Sequence, residues 1–135
     1  MDSIRSETTN PKIIILGDYN ENPNDKNVKN LVGTKIDTYN FHNPFENLFK
    51  KGFGTIGYRD QMNLFDQIIM STNMTSKNYN SYQLYKAGIF NPNYLTTKSG
   101  KYKGYPYRSF SNNTYTGGYS DHYPVYIYLI KQNNH

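Results

Sequence analysis

Four apolar runs punctuate an otherwise polar chain, and each has the length of a strand. Ile13-Ile14-Ile15-Leu16 is unbroken and mostly β-branched, the pattern of a strand buried on both faces. Leu64–Ser71 reads Leu-Phe-Asp-Gln-Ile-Ile-Met-Ser, a second strand interrupted by Asp66. Tyr82–Phe90 gives a third strand and Pro124–Ile130 a fourth, the last alternating Tyr with aliphatics. Helix signals are weaker. Asn22-Pro23-Asn24-Asp25 is turn chemistry that caps a short helix over Lys26–Val32, and a helical turn is expected over Phe45–Phe49. The stretches Gly33–Asn63, Asn73–Asn80 and Asn91–Thr116 read as mostly irregular. No internal repeat is visible. The pattern predicts an α+β protein dominated by strands, with long loops of the kind that carry function.

Composition narrows this picture. The 135 residues fit one domain, and the apolar fraction of 36% allows a modest core. Fifteen tyrosines and no tryptophan give much of the apolar surface a hydroxyl, which suits half-buried strand faces and clefts. The absence of cysteine excludes disulfides, thiolate catalysis and cysteine zinc sites. No stretch is long enough to be a transmembrane helix, and no signal peptide is visible. A net charge of +5 and a pI near 9.2 favour anionic partners, although no block of five like charges occurs.

Candidate chemistry collects at strand ends, where a rigid element aims a side chain into open space. Gly17-Asp18-Tyr19-Asn20 follows the first strand. It is read either as a plain β-turn or as a site to which Asp18 and Asn20 project together. Ser120-Asp121-His122 precedes the last strand and is read as a satisfied turn or as a site. Asp66 is costly if buried alone. It either faces solvent on an edge strand or pairs with an imidazole, fixing the ring's tautomer. The other histidines carry less: His42 is read as structural, and His135 is terminal. The segment Lys101-Tyr102-Lys103-Gly104-Tyr105-Pro106-Tyr107-Arg108 interleaves base and aromatic. It is a solvated loop, or a surface for phosphate contact and stacking. Two glycosylation-type triplets, at Asn73 and Asn112, carry no information in so asparagine-rich a chain.

Taken in order, Gly17-Asp18-Tyr19-Asn20, Phe65-Asp66-Gln67-Ile68-Ile69 and Tyr119-Ser120-Asp121-His122-Tyr123-Pro124-Val125 resemble the endonuclease/exonuclease/phosphatase superfamily of deoxyribonuclease-like phosphoesterases. The usual family forms are Gly-Asp-Phe-Asn, an Ile-Asp-Tyr-Ile-Leu-like strand, and Ser-Asp-His-x-Pro-Val. Tyr19 and Gln67 are the departures. The resemblance runs from Ile13 to Leu129. It implies a two-sheet β-sandwich flanked by helices, in four layers (α/β/β/α), of which this chain supplies the C-terminal half. Residues 1–135 are thus expected to form a single partial domain, with flexible ends at 1–10 and 131–135. The family's first half carries an Asn and a metal-binding Glu. Neither has a counterpart here, since Glu7, Glu21 and Glu46 lie in other contexts.

The resemblance also implies roles. Asp18 orients or deprotonates the attacking water, and Asn20 helps stabilise the phosphoryl oxygens. His122 stabilises charge on the phosphate while Asp66 fixes its ring. Asp121 assists at a divalent metal, Mg²⁺ or Mn²⁺. The implied substrate is a phosphoester: nucleic acid, a phosphorylated small molecule or a lipid headgroup. Three readings compete. The chain is a phosphoester hydrolase as part of a longer enzyme; or it is an inactive fragment, or half of a two-piece enzyme, that lacks the metal-binding Glu and can associate through an open sheet edge; or it is a nucleic-acid or lipid-headgroup binding module using Lys101, Lys103 and Arg108.

Overall fold

A computed structural model describes residues 10–33 and 40–133. The expectations for the tail before residue 10, for Glu7 and for His135 fall outside the described residues. The elements are β1 (Ile14–Asp18), α1 (Lys26–Gly33), β2 (Phe41–His42), α2 (Glu46–Lys50), β3 (Ile56–Tyr58), β4 (Gln61–Asn63), β5 (Asp66–Ser71), β6 (Gln83–Ile89), β7 (Phe110–Ser111), β8 (Thr114–Tyr115) and β9 (Val125–Ile130). Single 3-10 turns lie at Thr72–Met74 and Asn93–Leu95. The protein is α+β, with strands prevailing over two short helices among the described residues.

The strands form small antiparallel sheets. The largest has the order β1-β5-β2; β3-β4, β6-β9 and β7-β8 are pairs. β5 is central because it can be covered on both faces, and its period-two alternation sorts its side chains. Ile68 and Met70 join Phe45, Leu64 and Met74 in a core packed against Leu84, Ala87, Ile89, Val125, Ile127 and Leu129 of the β6-β9 pair. Ile69 points the other way, to Phe41, Val28 and the partly buried Ile13, Ile15, Leu31 and Val32. α1 therefore covers one face and the β6-β9 pair the other. Asp25 starts α1: its carbonyl accepts from Lys29 N at 2.9 Å, and its carboxylate accepts from Asn22 N at 2.7 Å. Among the described residues no helix is long and apolar enough to cross a membrane.

One expectation is overturned. β1 is not buried on both faces. Ile13 and Ile15 contact the α1 cluster, but Ile14 is 38% and Leu16 71% exposed. Register explains the split. Ile14 pairs with Met70 and Leu16 with Ile68, so both point toward the side of the β6-β9 pair. β1 is an edge strand, and that pair packs beneath β5 rather than reaching under β1. The helical turn expected over Phe45–Phe49 is present as α2, and the region read as mostly irregular between Gly33 and Asn63 also holds β2 and the β3-β4 hairpin.

Candidate active site

The antiparallel register places Asp18, the last residue of β1, opposite Asp66, the first of β5. Cross-strand partners project to the same face. On that face Asp66 Oδ2 lies 2.6 Å from His122 Nδ1, in the segment leading into β9. Both side chains are about one-fifth exposed, at 21% and 23%. An ionised carboxylate only accepts, so Nδ1 carries the proton and Nε2 is the nitrogen left to handle another. Asp66 therefore does not face solvent unpaired. The short bond fixes the tautomer and the plane of the ring.

Backbone locks hold this junction from three directions. Thr55 is fully buried, and its Oγ1 accepts from Phe65 N at 3.2 Å and Asp66 N at 3.3 Å. Its carbonyl accepts from Tyr123 N at 2.8 Å. One residue thus ties the start of β5 to the neighbour of His122. The loop after β1 is fastened to the turn before β5: Tyr19 N donates to Phe65 O at 2.9 Å, and Asn22 Oδ1 accepts from Leu64 N at 2.8 Å. Asn22 Nδ2 also reaches Asn63 Oδ1 at 3.1 Å.

Gln67, where the family form has an aromatic, is completely buried. Its Nε2 donates to Glu21 O at 2.6 Å and Leu64 O at 2.9 Å, and its Oε1 accepts from Asn43 Nδ2 at 2.7 Å. A polar side chain is tolerated there because these bonds satisfy it. Sequence reasoning assigned no supporting role to Thr55, Asn22, Gln67 or Tyr123, although it read Asn22 as turn chemistry and Gln67 as a departure from the family form. Only Gln67 gave a signal, as a polar residue inside an apolar run.

The remaining candidates are looser. Asp18 is exposed, and its Oδ1 accepts from Asn20 N at 2.8 Å. That closes a tight turn in which Asn20 has φ +51°, a left-handed conformation that Asn tolerates. Asn20 and Asp121 are both exposed. Tyr19 is half-buried, and burial raises its phenol above the ordinary value. Tyr123 is 2% exposed; burial raises its phenol too, partly offset by its hydrogen bond to Thr96. His42 sits on β2, away from this junction across the sheet. Burial lowers its pKa, with Glu46 acting in the opposite sense.

Asp18, Glu21 and Asp121 offer hard oxygen donors, the kind that Mg²⁺ and Mn²⁺ take. Glu21 Oε2 is buried without a hydrogen-bond partner. Yet among the described residues no three His, Asp or Glu side chains stand close enough to hold a metal ion. The donors suit the ion in type, and they do not form a closed cage.

No curated protein and no solved structure matches this chain. The family model described as endonuclease/exonuclease/phosphatase family matches residues 1–131, nearly the full length, including the strand-end motifs that meet around Asp66. The chain belongs to the endonuclease/exonuclease/phosphatase family.

Proposed function

We propose that this protein hydrolyses phosphoester bonds at the junction of Asp18, Asp66 and His122, as its family membership implies. The observation that carries the reading is the 2.6 Å contact of Asp66 with His122, beside a carboxylate held in register across the sheet. In this reading Asp18 takes the proton of the attacking water or aligns it. Asn20 donates an amide N–H to a phosphoryl oxygen. His122, held by Asp66, turns its Nε2 toward the phosphate, and a second proton on that nitrogen would donate to the charge growing there. Asp66 is a positioning residue, since it acts through the ring.

Enzymes of this family generally use divalent metals. Asp121, together with substrate phosphate oxygens, would hold Mg²⁺ or Mn²⁺, whose charge would neutralise the phosphoryl oxygens. We take residues 1–135 to be one partial domain of a four-layer α/β/β/α sandwich. Substrates then lie among nucleic acids, phosphorylated small molecules and lipid headgroups.

The test is turnover of a chromogenic phosphodiester by the purified chain with Mg²⁺. Asp18→Ala and His122→Ala are each expected to reduce the rate at least a hundredfold, the usual scale of a lost acid–base group. A variant that kept most of its rate would refute its assigned role.

A second reading has its own support in the exposed Ile14 and Leu16 and in the absence of a three-ligand group among the described residues. The chain would then be half of a site, completed by strands that pair with the open edge of β1. It predicts no turnover by the 135-residue chain alone. Robust metal-dependent turnover removes it.

A further inference from the structure

The β3-β4 hairpin and the segment 101–112 enclose a cleft of about 500 Å³. Its lining includes Arg59, Lys101 and Arg108, against one acid, Asp60. Interleaved with these cations are the rings of Tyr58, Tyr102, Tyr105 and Phe110. Nothing in the proposed hydrolytic junction uses any of them.

The cleft is built rather than incidental. Gly57 lies under the Tyr105 ring, and a Cβ there would overlap it, so the hairpin and the loop meet at a spot only glycine allows. Tyr102 stands 6.1 Å from Tyr105, centroid to centroid. The backbone of Arg108 is fixed by Thr116 Oγ1, which donates to its carbonyl, and Tyr107 OH donates to Thr116 O. The hydroxyl of Tyr123, the neighbour of His122, lies 2.8 Å from Thr96 Oγ1 and 3.2 Å from Gly104 O, within hydrogen-bond reach of both. The loop that carries the cations is thereby tied to the segment that carries the imidazole.

Two cations already rest on rings. Arg59 Cζ is 5.1 Å from the Tyr58 centroid, and Lys101 Nζ is 5.7 Å from that of Tyr102. Tyr58, Tyr102 and Phe110 nevertheless stay 59%, 46% and 60% exposed. Exposed aromatic side chains alternating with cations suit one ligand chemistry best, phosphates joined to flat aromatic bases. An inositol phosphate would use the cations and leave the rings idle. A bilayer is flat, whereas these cations line a concavity. Duplex DNA keeps its bases stacked on one another and unavailable to the rings, so the match is to unpaired nucleotides.

We propose that this cleft binds single-stranded nucleic acid, with Arg59, Lys101 and Arg108 on phosphates and Tyr58, Tyr102 or Phe110 stacked on bases. That single strands are also the substrate rests on the phosphoesterase reading; binding by the cleft does not.

The experiment is fluorescence anisotropy of a labelled oligothymidylate with the full chain in EDTA, titrated at several salt concentrations. Binding should weaken with salt. Arg59→Ala and Arg108→Ala should each weaken it and reduce the log–log salt slope by about 0.7 for each phosphate that is no longer neutralised. Tyr102→Leu should weaken binding about fivefold or more with the slope unchanged, and Tyr102→Phe should restore it. His122→Ala should bind as the parent does, which separates this proposal from the hydrolytic one. Equal affinity for duplex, complete competition by inositol hexakisphosphate at equal charge, preferential binding to anionic vesicles, or indifference to all three cleft substitutions would each overturn it.

Discussion

The two edges of the β1-β5-β2 sheet bury their apolar residues to opposite degrees. At the β2 edge the strand is two residues long, and Phe41 is 4% exposed in a cluster with Val28 of α1 and Ile69 of β5. At the β1 edge the strand is five residues long, and Leu16 is 71% exposed. Proteins commonly blunt an edge by shortening it or covering it, and β2 has both protections. β1 has cover on one face only. The difference separates hydrophobicity from burial. Leu16 is as apolar as any core residue, yet this fold gives it nothing to pack against.

Paired truncations put the largest expected effect on that contrast. Phe41→Ala should cost about 3–5 kcal/mol of unfolding free energy, the range for a buried aromatic. Leu16→Ala should stay within about 0.5 kcal/mol. Urea denaturation of the two variants measures both, and equal destabilisation would show that β1 is covered in solution. A subtler change tests what the bare edge does. If further strands or other copies pair with it, Leu16→Lys should lower self-association in sedimentation velocity while leaving the urea midpoint in place.

The smallest effect lies at the covered edge. Burial lowers the pKa of His42 from its ordinary 6.5, with Glu46 raising it in part. The folded state thus binds the proton less readily than the unfolded chain. This group's contribution is full above the unfolded value near 6.5 and is lost as pH falls through the lower folded value. Acidification from above 6.5 down through the lower folded value should reduce stability more in the parent than in His42→Gln. Identical pH profiles would remove His42 as a source.

The long apolar runs were legible as β5, β6 and β9 because strand length and alternation survive in the sequence. The burial of β1 was not legible, because an apolar run says nothing of whether a neighbour exists. The β3-β4 hairpin was hidden for another reason. It turns on Arg59 and Asp60 at φ +48° and +61°, positions where glycine or asparagine is the usual signal. The β7-β8 turn uses Asn112 and Asn113 at φ +48° and +62°, a signal present in the sequence and passed over. At the candidate site, the meeting of Asp66 with His122 was one of two alternatives that charge burial left open. The supporting locks were not readable. Thr55 and Asn22 act through side-chain oxygens on backbone N–H groups of β5 and the turn before it, and Tyr123 through its own N–H, pairings across the fold that local sequence does not announce.

The register that sets Asp18 opposite Asp66 also guards against misassembly. Side chains alternate along a strand, so a slip of one residue would turn β5 over. Asp66 would swing away from His122, and the amide of Gln67 would be driven among Leu64, Phe45 and Met74 with no partner for its hydrogen bonds. The misaligned chain would lose its core and the Asp66–His122 contact in the same step. Correct pairing and that contact are therefore checked by one event, and a stably folded chain that lacks the contact has no easy way to accumulate.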